Sequence, residues 1–404
     1  MDPERPRPGV QLPDRFPDLR ARLLELLAPW QVGDWPLPGV QLEDASTELG
    51  LRLRFRVDGE RVWVDVTPMA DARRHASRSQ AFAFGYRTEG GRNPVDPGLG
   101  LRLCDAIARR SAANEARVLA ALRAPTERSD QRIREVEIDS LLEQAGPASE
   151  SFYTLSPYVG CVIGCKFCYA QSSLGPLRRL LGRAEAPWGS YVDIRRNAPQ
   201  VLARELAEPT RPLRPIKFCP VISDPYQAIE RSAGVTRGCL DVIAAADRHW
   251  PTLLLTRSPL ILADRERIAG LPRAWVGVSL PTVDEDVRRH FEPRAATIAE
   301  RLTVLRSFRA LGVKTLAVVQ PLLAGSLDAH ADALAECVDS VSIDVLRGVE
   351  GARPQFDDPR YVATASDEWQ LARAHALVDA LSARGVPVWR GELPPELARD
   401  PHDA

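Results

Sequence analysis

Along residues 49–67, LGLRLRFRVDGERVWVDVT, apolar and polar positions alternate with period two, and Asp58-Gly59 interrupts the alternation midway. Successive side chains of an extended strand point to opposite faces, so this stretch predicts a β-hairpin with Leu51, Leu53, Phe55 and Val57 on one face. Arg52, Arg54 and Arg56 fall on the other, where they either solvate the hairpin or contact a ligand. Residues 19–27 and 97–123 carry apolar positions at helical spacing instead. The first twenty residues are dominated by proline and charge and read as a disordered arm. Residues 21–125 then form a small α+β accessory domain, and the charged stretch 126–150 reads as a connector.

From residue 151 the rhythm changes. Strands are expected at 153–158, 215–221, 252–256, 275–280, 314–321 and 341–345. Helices are expected between them at 198–207, 237–248, 298–311 and 328–337. Six such repeats predict an α/β fold, a partial (βα)6 parallel barrel over residues 151–404, closed by a helix at 368–384 and a short run at 386–389. In that architecture active-site groups sit on loops after the strands' C-terminal ends, which decides which residues carry weight.

Composition narrows the function classes. Hydrophobic residues at 45% and charged residues at 26% are the balance of a globular protein, and the net charge of −1 gives no footprint for nucleic acid. No apolar run approaches the roughly 18 residues of a membrane span, and the proline-rich N-terminus lacks the apolar core of a signal peptide. Seven cysteines, three of them within eight residues, suit a metal site in a reducing compartment, so a cytoplasmic location is expected.

Those three are Cys161, Cys165 and Cys168, spaced C-x3-C-x2-C directly after the first expected barrel strand. Clustered thiolates with no fourth nearby suit a [4Fe–4S] cluster with one iron left open. Gly160 and Gly164 supply the positive-φ backbone needed to wrap it. Structural zinc usually takes four ligands in spaced pairs, and neither a second C-x2-C nor an H-x3-5-H is present. A group of buried cysteines with no metal is the remaining alternative.

With these residues in hand, 151–345 resemble the radical S-adenosylmethionine (SAM) superfamily, in the branch of spore photoproduct lyase. The matching segments are SPYVGCVIGCKFCYA, VDIRRNAPQVLARELA, ISDPYQAIE, LLLTRSPLIL, VGVSLPT and FEPRAATIAERL, in the family's order. The resemblance implies SAM and a [4Fe–4S] cluster as cofactors, reductive cleavage of SAM and hydrogen-atom abstraction from a substrate. It implies an electron donor such as flavodoxin or ferredoxin.

Carried over residue by residue, the resemblance places Phe167 and Tyr169 near the adenine, against the plain reading of either ring as a plug for the core beneath the loop. Ser223 and Asp224 match the polar groups at the SAM amino end, against the plain reading of Ser-Asp-Pro as a turn. Arg257 and Ser279 match groups near the SAM carboxylate or ribose, and Arg294 either contacts SAM or pairs with Glu292. Tyr226 and Gln227 are expected to face the substrate. Cys219 shares a strand face with Ser223 and is a candidate hydrogen-atom donor, against the commoner role of a buried cysteine as a small hydrophobe. Two further functions stay open: repair of a nucleic-acid lesion, and a non-catalytic iron–sulfur or zinc module. The near-neutral charge favours a small molecule or peptide as substrate over nucleic acid.

Overall fold

In the computed structural model, which describes residues 14–47, 50–69, 72, 77–88, 96–123, 132–146, 151–218, 222–346 and 349–398, the chain begins with a short strand, β1 (Asp14–Arg15), and a helix at Leu19–Leu26. Asp18 caps that helix by accepting from Ala21 N–H at 3.0 Å. The last residues of the expected arm are therefore ordered, and residues 1–13 lie outside the described residues.

Strands β2 (Val40–Ser46), β3 (Arg52–Val57), β4 (Glu60–Pro68), β5 (Ser77–Arg78) and β6 (Phe82–Thr88) form an antiparallel sheet of order β2-β3-β4-β6-β5. The expected hairpin is β3–β4, and Asp58 and Gly59 adopt φ of 50° and 86°, the mirror-image turn that matches the twist of paired strands. Leu53, Phe55 and Val57 are buried on its inner face. On the outer face Arg52 pairs with Asp65 at 3.0 Å, Arg54 with Asp44 at 3.4 Å, and Arg56 with Glu43. The helical stretch 97–123 is two helices, Pro97–Ala112 and Glu115–Leu122.

The stretch read as a connector contains two strands, β7 (Ile133–Glu137) and β8 (Glu143–Ala145). At the start of β7 burial is inverted relative to hydropathy. Arg134 and Val136 are buried while Ile133 faces outward, because Asp193 receives the Arg134 guanidinium through two hydrogen bonds of 2.7 Å.

Next come β9 (Phe152–Leu155), β10 (Tyr158–Val159) and β11 (Val192–Arg195), then β12 (Ile216–Phe218), β13 (Thr252–Thr256), β14 (Ala274–Ser279), β15 (Lys314–Val319), β16 (Ser340–Ile343) and β17 (Val388–Trp389). A four-stranded sheet runs β1-β7-β11-β10, and an eight-stranded sheet runs β17-β16-β15-β14-β13-β12-β9-β8. In the larger sheet β9 and β12 to β17 are parallel, and β8 pairs antiparallel with β9. Helices 198–206, 235–245, 298–310, 327–335 and 367–382 connect the parallel strands, as βα alternation requires. Phe152, Leu253, Leu255, Trp275, Leu316 and Trp389, drawn from β9 through β17, gather in one apolar cluster on a single face of the sheet. No helix among the described residues is long and apolar enough to cross a membrane.

Candidate functional site

The cysteine loop leaves β10 and enters the helix Ala170–Leu180. Gly160 and Gly164 have φ of 90° and 59°, as the loop's tight path requires. Backbone donors are clamped from several sides. Gly160 N–H donates to Ile222 O at 3.0 Å, and Lys166 N–H to Phe291 O at 2.9 Å. Val162 N–H donates to Gln227 Oε1 at 2.9 Å, while Gln227 Nε2 donates to Gly160 O at 3.1 Å. Trp188 Nε1 donates to Cys165 O at 3.2 Å.

Cys161, Cys165 and Cys168 border one small cavity with Ser223, Asp224, Trp188 and Arg257. Cys161 and Cys165 are buried, and Cys168 is partly buried. Burial pushes the Cys161 thiol up to about 12, reinforced by Asp224. Burial likewise raises Cys165 well above the ordinary thiol range and raises Cys168, with Arg257 opposing both. Burial thus disfavours the thiolate form of all three, and metal binding would displace protons from them.

These residues fit an iron–sulfur cluster. Three cysteines border one small space, and the buried Ser223 Oγ on its wall has no hydrogen-bond partner among the described residues. A fully buried hydroxyl without a partner is costly and marks a position that a ligand satisfies. Among the described residues no group of three His, Cys, Asp or Glu side chains is arranged to hold a single metal ion.

A second cleft, about 360 Å³, adjoins this cavity, and Cys168 and Arg257 line both. Its walls combine Phe167, Tyr169 and Ser279 with the inner-face residues Leu253, Leu255, Leu316 and Val318. Its polar groups include Lys217, Gln320, Ser342, Asp344 and Glu392, together with Arg52 from β3 of the N-terminal sheet. Such a mixture of apolar walls and a few directed polar groups is the ordinary make-up of a small-molecule site.

Nine of the expected site residues border two adjoining spaces: Cys161, Cys165, Cys168, Ser223, Asp224 and Arg257 the smaller, and Phe167, Tyr169 and Ser279 the larger, which Cys168 and Arg257 share. Asp224 is buried, and its carboxylate accepts from Tyr226 N–H at 2.9 Å, Thr256 Oγ1 at 2.6 Å and Arg257 N–H at 2.8 Å. Burial raises its pKa against these bonds. The carboxylate that shapes the turn is thus also among the residues that border the cavity.

Three expectations need correction or qualification. Tyr226 does not face a substrate space: it is 1% exposed and donates from its hydroxyl to Asp264 at 3.3 Å, because the turn at Pro225 directs the ring toward Asp264. Gln227 is spent on clamping the cysteine loop. Arg294 does not pair with Glu292, whose carboxylate is taken by Arg257 at 2.9 Å and Arg301 at 3.0 Å. Its guanidinium lies instead against Gly164 and Gly189, whose Cα atoms are close enough that a Cβ on Gly164 would stand 2.8 Å from Gly189 Cα. Cys219 lies outside the described residues.

Arg301, Trp188 and Lys217 escaped the sequence reading, and Glu292 entered it only as a partner for Arg294. Arg301 carried a signal: it interrupts the apolar stripe of its helix, three residues after Ile298 and four before Leu305. Burial pushes the Glu292 carboxyl up, and Arg301 and Arg257 together pull it below the usual carboxylate range.

No family model matches the chain. The chain is 24% identical over 176 residues to an uncharacterised protein of Methanocaldococcus jannaschii, covering 44% of this chain and 62% of that one. It is 28% identical over 188 residues to an uncharacterised protein of Mycobacterium tuberculosis, covering 45% and 53%. The match thus spans somewhat over half the length of these curated relatives. Among solved structures it is similar to spore photoproduct lyase complexed with dinucleoside spore photoproduct, with TM-score 0.46, 17% identity, and coverage of 68% of this chain and 85% of that chain. It is also similar to Streptococcus suis SuiB bound to S-adenosylmethionine, with TM-score 0.39, 14% identity, and coverage of 77% and 56%. Spore photoproduct lyase, whose branch the motifs resemble, is thus among the structures this chain is similar to.

Proposed function

We propose that this chain is a radical SAM enzyme in which Cys161, Cys165 and Cys168 hold a [4Fe–4S] cluster and the adjoining cleft binds SAM and substrate. The observation that carries this reading is that three cysteines at C-x3-C-x2-C spacing, two buried and one partly buried, border one cavity that shares Cys168 and Arg257 with the larger cleft. The cluster, when bound, supplies the electron for reductive cleavage of SAM and so for hydrogen-atom abstraction from the substrate.

The protein's own part is binding, orientation and exclusion of water. Arg257 offers a planar fork to the SAM carboxylate, and Ser223 and Asp224 face the amino end. Phe167 and Tyr169 flank the adenine, and Ser279 completes the polar wall. Leu253, Leu255, Leu316 and Val318 keep water and stray hydrogen donors away from a reactive intermediate. We read the eight-stranded sheet as a partial barrel with added edge strands. Residues 21–125 form an accessory domain that reaches the substrate end of the cleft through Arg52. A small molecule or peptide is the substrate in this reading, and a flavodoxin or ferredoxin the electron donor.

The test is SAM cleavage. Anaerobically reconstituted and reduced protein should convert SAM to methionine and 5′-deoxyadenosine. Absence of 5′-deoxyadenosine from cluster-loaded, SAM-bound protein would refute the reading.

A further inference from the structure

Glu292 is 0% exposed, a position where an unpaired carboxylate is strongly disfavoured. Its Oε1 accepts from Arg257 Nε at 2.9 Å and its Oε2 from Arg301 Nη1 at 3.0 Å. Arg301, itself 1% exposed, also donates to Ser279 O at the end of β14 and to Ala296 O, both at 3.1 Å. The Cys165 thiol lies 3.6 Å from Glu292 Oε1. The backbone around Glu292 is fixed as well: Phe291 O accepts from Lys166 N–H at 2.9 Å, and Arg288 holds Glu292 O at 2.9 Å. One carboxylate therefore joins the cysteine loop, the end of β14 and Arg257.

Two features set this triad apart from a plain structural ion pair. Well-packed apolar residues in its place would be as stable or more so, because taking charges out of water costs as much as their attraction returns. The triad also holds two guanidinium groups against one carboxylate, and its surplus positive charge faces the cavities, which Arg257 lines on both sides. Nε of Arg257 is committed to Glu292, and among the described residues its terminal nitrogens make no side-chain hydrogen bond. The guanidinium carbon stands 5.7 Å from the Phe167 ring centroid, so the ring supports one face of the fork.

We propose that Glu292 is a positioning residue: by fixing Arg257 through Nε, it aims the terminal guanidinium nitrogens at the carboxylate of SAM. The inference rests on the SAM-binding reading above and goes beyond it, since Glu292 touches neither cavity. Arg301 is the anchor that keeps Glu292 from following Arg257.

The test uses full-length, cluster-loaded protein under anaerobic conditions, with SAM as the probe and equilibrium dialysis as the readout. Wild-type protein, Glu292→Gln, and the double variant Glu292→Gln with Arg301→Met are compared for iron content, urea midpoint and SAM affinity. Glu292→Gln should bind SAM about tenfold more weakly, the cost of one misaligned charge-assisted hydrogen bond. The double variant removes the buried cation left over, so its urea midpoint should return toward wild type while SAM affinity stays low. A wild-type affinity in Glu292→Gln would overturn the proposal. So would an affinity that recovers together with stability in the double variant, which is the signature of a purely structural residue and is measurable even if Glu292→Gln alone fails to fold. Failure of the wild-type protein itself to bind SAM would sink the reading beneath; wild-type binding with either of the other outcomes sinks this inference alone.

Discussion

Lys217 on β12 and Glu392 just beyond β17 form an ion pair of 2.7 Å, although β13, β14, β15 and β16 lie between those two strands in the sheet. Neighbouring strands are about 4.8 Å apart, so a flat sheet would hold β12 and β17 about 24 Å apart. The pair forms because the sheet curls, and the concave side of that curl is the wall of the cleft that Lys217 and Glu392 both line. The lysine side chain is 6% exposed and the glutamate 49%.

Removing the carboxylate should therefore loosen the curl. Glu392→Gln is expected to cost about 1–2 kcal/mol, less than breaking a fully buried pair because Glu392 keeps half its contact with water. Lys217→Met removes the desolvated charge as well and should cost less. Urea midpoints of the two variants decide this, and equal losses would contradict it.

The second expectation concerns the support beneath the cysteine loop. Gly189 has φ of 87°, and a Cβ there would collide with the Arg294 guanidinium and stand 2.9 Å from Gly164 Cα. Gly182 has φ of 65° with nothing within 4 Å of the position its Cβ would take. Gly182→Ala should show only the backbone cost of a left-handed residue, about 1–2 kcal/mol. Gly189→Ala should cost more and also lose most of its bound iron, because the loop carrying Cys161 and Cys165 must shift. Iron analysis after anaerobic reconstitution separates the two; equal iron content would refute the link.

A pH dependence follows from His330, which is buried and hydrogen-bonded through Nε2 to Leu280 O at 3.0 Å. Burial, with a smaller contribution from Arg373, lowers its pKa from 6.5 to about 4. Above pH 6.5 both folded and unfolded states keep the ring neutral, and stability is complete. As pH falls from 6.5 to about 4, the unfolded chain takes a proton that the folded chain refuses, and about 3 kcal/mol is lost. Below about pH 4 both states are protonated and this loss stops growing. His330→Gln should flatten that part of the stability profile, and a profile parallel to wild type would contradict the assignment.

Much of the fold was legible in the chain because local pattern and tertiary role agree. The strand expected at 252–256 is β13, Thr252–Thr256, and its apolar run is long enough to be buried on both faces. The cysteine spacing, the glycines beside it and the strand-end positions of Arg257 and Ser279 were readable for the same reason. What stayed hidden depends on partners distant in sequence. Strand β7 looks like a solvated charged segment until Asp193 is brought against Arg134. Tyr226 follows a strand end, but that rule locates backbone and not the direction of a ring, and Pro225 turns it toward Asp264. Glu292 shows no pattern of its own, since its partners Arg257 and Arg301 lie on other elements.

The most direct test of the account is the iron and sulfide content of the anaerobically reconstituted protein, measured beside its cysteine variants. The wild type should hold about four irons and four sulfides per chain. Cys161→Ala, Cys165→Ala and Cys168→Ala should each lose the cluster or hold it unstably, and the triple variant should hold none. A triple variant that kept a full cluster, drawing ligands from Cys104, Cys239 or Cys337, would contradict the assignment and the function built on it.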